Sequence, residues 1–317
     1  MSSQGGTRAD ESAPEIRDQE VDLDGSRVHY LTAGDGPHLV LHHGLGDSAR
    51  DWQWVLPVLA HRSRVIAPDF PGFGRSDRPR AADSPALSAE FVARFLDALH
   101  VPGAVVAGNS LGGLAALRFA LADLGRVSAL VLVGSAGLGR EVNPGMRLLS
   151  LPGLGESATA CARTCPGRAL RLWGRPRALF AHRRRVPAGW IADQDRLSRR
   201  PDFLGNTLEV LRAVVSPSGQ REVLRDRLPE LAMPTRIVWG ARPGRPSRPG
   251  PGRGRPAAAG PPRRHPGLRP SPADRAPGAL PGGAGFVPGR AGRIGREPRR
   301  VIPAAPAISR RRRRGDA

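Results

Sequence analysis

The segment 104–113, Ala-Val-Val-Ala-Gly-Asn-Ser-Leu-Gly-Gly, restricts the possible folds more than any other stretch of the chain. A short apolar run ends in Gly108-Asn109-Ser110-Leu111-Gly112 and opens directly into a helical pattern. The spacing predicts a strand, a sharp turn and a helix, with Ser110 at the apex. Gly108 and Gly112 leave room where a Cβ would strike the crossing backbone. Such a turn holds its serine at the C-terminal edge of a sheet, and the N–H groups that follow lie at a helix N-terminus, where negative charge is favoured. A single G-x-S-x-G pattern is weak by itself; the strand and helix signals on its two flanks give this one weight.

The same grammar extends to both sides. Residues 21–33 alternate and contain Asp24-Gly25, a hairpin turn between two strands. Residues 38–41 and 64–67 read as short buried strands. Leu87, Phe91, Phe95 and Leu99, with Val92 and Leu96 beside them, make one apolar helix face. The Val105-Val106 strand, a helix over 114–121 and a strand over 130–133 follow. Short apolar strands separated by helices predict an α/β fold with a mostly parallel sheet covered on both faces.

Residues 137–228 break the alternation: they hold helical segments such as 203–214 and no clear strand, and 234–240 then returns to a strand. The expected organisation is a disordered N-terminus (1–15), a first part of the core (16–136), a helical insertion (137–228), a returning core strand (229–242) and a tail (243–317). Of residues 241–317, 16 are proline and 14 are glycine, so this end is expected to be disordered.

The net charge of +21 suggests a nucleic-acid partner until it is located. All basic residues are arginine, the choice of a GC-rich gene, and residues 241–317 hold 19 of them against Asp274, Glu297 and Asp316. That end therefore carries +16, which leaves +5 for residues 1–240. The run Arg310–Arg314 can bind phosphates by counterion release, which keeps a nucleic-acid- or membrane-surface-binding alternative open. No aromatic residues interleave with it for base stacking, and nucleic acid is not the expected partner. Cys161 and Cys165, which would share a face if both lay on one helix, read as reduced thiols of a cytoplasmic protein. The N-terminus has no secretory h-region, and no apolar run is long enough to span a bilayer. Neither metal-ligand spacing nor a cofactor motif occurs, so neither group is expected; the oligomeric state is left open.

Five motifs arrive in a fixed order. His43-Gly44-Leu45-Gly46 follows the third strand, Asp69-Phe70-Pro71-Gly72-Phe73-Gly74-Arg75-Ser76-Asp77 the fourth, and Gly108-Asn109-Ser110-Leu111-Gly112-Gly113 the fifth. Leu132-Val133-Gly134-Ser135 ends the sixth, and Ile237-Val238-Trp239-Gly240 the seventh. Together they resemble the α/β-hydrolase superfamily over residues 20–242. The resemblance implies that 137–228 is a helical lid. It implies hydrolysis of a small-molecule ester, thioester or related carbonyl compound. Ser110 would attack the carbonyl carbon, and the backbone N–H groups of Leu111 and Leu45 would form the oxyanion hole. His43 would tie loops together, Trp52 and Trp54 would pack, and Met146, Leu148, Leu149 and Trp190 would line an apolar pocket or form the lid core. Serine at the elbow argues against the haloalkane-dehalogenase and epoxide-hydrolase branches, and Asn109 before it is similar to the carbon–carbon bond hydrolases of aromatic degradation.

The chain departs from the family at its C-terminal end. The family's acid follows the seventh strand in a Trp-Gly-x-x-Asp pattern, but Pro243 stands at that place after Trp239-Gly240-Ala241-Arg242. Its base follows an eighth strand, usually after glycine; here there is no such strand and no Gly-His pair. His265 lies in an Arg-Arg-His-Pro stretch, and Glu141 is the nearest alternative acid. A shift of reading frame at Arg242 accounts for the departure: permitted codons for residues 243–248, read one base later, give Arg-Val-Val-Pro-Ala. Without a base Ser110 keeps its proton, so catalysis by the chain as written is expected to be impaired, and a non-catalytic protein that keeps the pocket is the alternative. Loss of the last strand and helix is expected to leave an open sheet edge.

Overall fold

The computed structural model describes residues 14–78, 89–180 and 182–240. The alternating segment near the N-terminus is a hairpin of β1 (Arg17–Leu23) and β2 (Ser26–Ala33), paired antiparallel from Arg17 with Thr32 to Leu23 with Ser26. Asp24 and Gly25 both take positive φ, +54° and +79°, as the tightest hairpin loop requires. Asp22 accepts the Gly25 N–H at 2.9 Å and closes it.

Five further strands complete a seven-stranded sheet: β3 (His38–His42), β4 (Arg64–Pro68), β5 (Ala104–Asn109), β6 (Val127–Val133) and β9 (Thr235–Val238). Their spatial order is β1-β2-β4-β3-β5-β6-β9. β2 meets β4 antiparallel, and every later pairing is parallel. This is a mostly parallel α/β sheet, and its apolar strands feed two cores because successive side chains point to opposite faces. Val40, Val106, Leu130 and Leu132 face one side, with Phe95 of α2 (Ala89–Ala98) and Leu114, Leu117 and Phe119 of α3 (Leu111–Ala122). Leu31, Leu41, Val65 and Ala107 face the other, with Leu56 of α1 (Leu56–Ala60). Residue 87, expected on the α2 stripe, lies outside the described residues, as do Pro243, His265 and the whole tail.

Between β6 and β9 the chain is helical: α4 (Pro144–Leu149), α5 (Leu154–Arg163), α6 (Cys165–Leu179), α7 (Ala188–Ser198) and α8 (Phe203–Val214). Two details go beyond the sequence reading. A minimal antiparallel ladder, β7 (Val215–Ser216) with β8 (Gly219–Gln220), interrupts a stretch expected to hold no strand; Gly219 at φ +126° closes its turn. Cys161 and Cys165 do not share a helix. Thr164 ends α5 and caps α6, accepting the Gly167 N–H at 3.2 Å, while Pro166 starts α6 without an N–H to lose.

Candidate active site

β5 runs into α3 through Ser110, whose φ of +52° and ψ of −111° lie where a non-glycine residue is strained. The turn is tight because the neighbouring glycines admit no side chain. A Cβ on Gly108 would sit 2.1 Å from the Gly112 carbonyl oxygen, and a Cβ on Gly112 would sit 2.3 Å from that of His42. α3 thus starts against the end of β3. The Ser110 N–H donates to Val133 O at 2.9 Å, and its carbonyl accepts N–H groups from Gly113 and Ala136 at 3.0 and 2.9 Å. β6 and the loop after it therefore hold the elbow from behind. The Ser110 side chain, half-buried, does not cap α3 and bonds to no described residue.

The loop after β3 runs past this serine. A Cβ placed on Gly44 would lie 3.7 Å from Ser110 Cβ. The two expected oxyanion donors are thus carried by adjacent elements, Leu45 on the loop and Leu111 at the first position of α3, and neither N–H has a partner among the described residues. His43 fixes the loop. Its Nδ1–H donates to Gly44 O at 2.8 Å and its Nε2 accepts the Phe70 N–H at 3.0 Å. Both nitrogens are used in the neutral form, and burial holds the ring below its ordinary pKa. His42 is as deeply buried, lies flat on Phe70 at 5.3 Å and has no partner for either nitrogen among the described residues. Burial first, and His43 second, push it down to about 3.

Carboxylates near the loops are committed elsewhere. Asp69 accepts N–H groups from Ala49 and Arg75 at 2.6 and 2.8 Å and contacts His29 Nδ1 at 2.7 Å. The other His29 nitrogen meets Asp18 at 2.8 Å. Burial lowers the His29 pKa and the two carboxylates outweigh it, so the ring is held above its ordinary value. This cluster stitches β1 and β2 to the loop after β4. Glu141 is exposed, and no described histidine pairs with it.

Residues of the helical insertion, unmarked by any motif, reach the Leu45 loop. Arg175 of α6 donates through Nη2 to the carbonyls of Leu45 and Gly46 at 3.1 and 3.0 Å and to Asp47 at 2.5 Å. Gln194 of α7 donates to the same Asp47 oxygen at 2.8 Å, and the Trp190 indole N–H to Asp51 at 3.1 Å. Asp51 is held far above the ordinary carboxyl range by burial, then by the charge and hydrogen bond of Asp47. Trp190 is thus buried and held by Asp51, with Arg175 and Phe180 beside its ring, whereas Leu148 and Leu149 are exposed. Trp52 packs on the second core, and Trp54 is partly exposed beside Gly189. The available sequence signal was the spacing of Arg168, Arg171 and Arg175, three cations on one face of a helix that has no acid of its own.

The family model described as alpha/beta hydrolase fold matches residues 37–197. An uncharacterised protein of Mycobacterium tuberculosis is 36% identical over 226 residues, 69% of this chain, which spans 65% of that relative's length. The 2-hydroxymuconate semialdehyde hydrolase of a Pseudomonas species is 38% identical over 142 residues, 44% of this chain and 50% of that enzyme. Among solved structures, a membrane phospholipase A described as a bacterial virulence factor superposes with a TM-score of 0.57 at 26% identity, over 71% of this chain and 70% of that one. The 2-hydroxy-6-oxo-6-phenylhexa-2,4-dienoate hydrolase of a Rhodococcus species shares the fold, with a TM-score of 0.59 at 20% identity over 72% and 82% of the two chains. With the strained serine turn, the parallel sheet and a family match over half its length, this chain belongs to the α/β-hydrolase family.

Proposed function

We propose that the chain carries a serine hydrolase site for a small-molecule ester, thioester or related carbonyl compound, with Ser110 as the nucleophile. The observation that carries this reading is the Ser110 backbone at φ +52°, beside a loop and a helix start that each offer an unpaired N–H. Attack by Ser110 Oγ turns the carbonyl oxygen into an oxyanion, which Leu45 and Leu111 receive. A donor of this kind is worth roughly 10²–10³ in turnover in a related acyl-transfer site. The hydroxyl proton must leave during attack, and no described imidazole takes it. We infer from Pro243, in the family's acid position, and from the lack of a Gly-His pair that the acid and base are missing as written, so that only a residual rate survives.

Hydrolysis of p-nitrophenyl butyrate by the purified chain and by Ser110→Ala tests the reading. The wild type should show a slow, serine-dependent rate and the variant the buffer background. Equal rates would remove the nucleophile assignment. The coding DNA bears on the second inference: another frame should encode an aspartate after Trp239-Gly240 and a later Gly-His. Restoring that frame should raise the rate by about three orders of magnitude or more. A carbon–carbon bond hydrolase is the second reading, favoured by Asn109 and by the 38% identity to the Pseudomonas enzyme. Decay of 2-hydroxymuconate semialdehyde absorbance under the same two proteins separates it from ester hydrolysis.

A further inference from the structure

α6 is built inside out. Its inward stripe is cationic: Arg168 meets Asp195 at 3.3 Å, Arg171 donates to Gln194, and Arg175 holds the Leu45 loop. Its outward stripe carries two large apolar side chains. Leu170 is 63% exposed, and Trp173, one turn on, is 58% exposed. The guanidinium of Arg177, on the same stripe, lies 3.7 Å from the Trp173 ring centroid. Leu179 at the helix end is also 58% exposed. A soluble helix ordinarily shows the reverse arrangement, so this one presents its greasy face to a partner.

The charge around it says which partner. Residues 154–200 hold eleven arginines against Glu156, Asp193 and Asp195, a net +8. The rest of residues 1–240 carries −3. The positive excess of the hydrolase body is therefore concentrated in α5, α6, α7 and their connections. Arg163, Arg199 and Arg200 also rim an open groove of about 320 Å³ with Arg168 and Ser198. A second copy docked face to face would set like charge against like charge, and residues 241–317, at a net +16, offer no anionic complement. Nucleic acid would match the arginines and leave Leu170 and Trp173 in water. Aliphatic chains beneath an anionic headgroup layer satisfy both, and tryptophan beside arginine suits the interface between them.

We propose that the outer face of α6, centred on Leu170 and Trp173, docks on the surface of an anionic lipid bilayer. The contact is peripheral: among the described residues, no helix is long and apolar enough to cross a membrane. It does not depend on what Ser110 does, because the test reads binding and not turnover.

The full chain is mixed with phosphatidylglycerol–phosphatidylcholine vesicles whose acyl chains are brominated, and tryptophan emission is followed alongside co-sedimentation. The chain has five tryptophans, so contact of Trp173 with the acyl region should quench about a fifth of the emission. Trp173→Phe should still pellet with the vesicles and lose that quenching. Leu170→Ser with Trp173→Ser should lose pelleting at 0.5 M salt, roughly where a charged tail is screened, and unfold at the wild-type temperature because both side chains are exposed. Equal quenching in wild type and Trp173→Phe would overturn the proposal, as would pelleting without quenching. So would a Trp173 response to duplex DNA and not to vesicles, or a self-association that the double variant abolishes while vesicles have no effect.

Discussion

Ser110 is held in its strained backbone state by contacts that leave its neighbours no freedom. One such limit is the 2.3 Å separation between a Cβ on Gly112 and the His42 carbonyl oxygen, a main-chain atom that cannot rotate away. Gly112→Ala must push α3 off the end of β3. It is expected to cost on the order of 3 kcal/mol, at the upper end for overpacking a core, read as a lower denaturation midpoint in urea. An unchanged midpoint would mean that the helix start is not pinned there. Gly108 and Gly112 were legible in the sequence because the requirement is local: five consecutive residues state it. Arg175 was not legible. Its partners Leu45, Gly46 and Asp47 lie about 130 residues away, and only the docking of α6 onto the core brings them within reach.

Between α6, α7 and the Leu45 loop, the protonation of one carboxyl group matters to stability. Asp51 is raised by burial and by Asp47, so the folded chain keeps a proton that the unfolded chain releases above the ordinary value of 3.8. The stabilisation is complete below that value and fades as pH rises toward the folded value. Asp51→Asn keeps an oxygen for the Trp190 indole N–H and a donor for Asp47, and it cannot ionise. Relative to wild type, this variant should gain thermal stability steadily from pH 5 to pH 8, followed by circular dichroism. Parallel melting curves across that range would show that the proton is not there. At this scale the sequence was readable where periodicity was strong: α8 was expected over 203–214 and spans Phe203–Val214. It was not readable where two residues suffice for a ladder, as in β7 and β8, or where a single cap divides one helical pattern into α5 and α6. The helices of the insertion pack on a surface that does not exist until the sheet has formed, so which residues they meet is not written in their own periodicity.

For the molecule as a whole, the sheet order ends at β9 among the described residues, and all four residues of that strand are exposed. Ile237, Val238 and Trp239 are 48%, 43% and 63% exposed, which is unlike the buried strands beside them. A strand edge with apolar side chains invites addition of another strand. Ile237→Lys should slow aggregation at 37 °C several-fold by light scattering. Its melting temperature should stay close to that of the wild type, since substitutions at exposed sites usually change stability by less than about 0.5 kcal/mol. An unchanged rate would place the association elsewhere. The Arg175 contacts have a different consequence, a mechanical one. Any displacement of α6 carries the guanidinium with it, and the carbonyls of Leu45 and Gly46 lose their cation in the same movement. Helix and loop are thus geared together: the loop keeps its brace only while the helix stays seated.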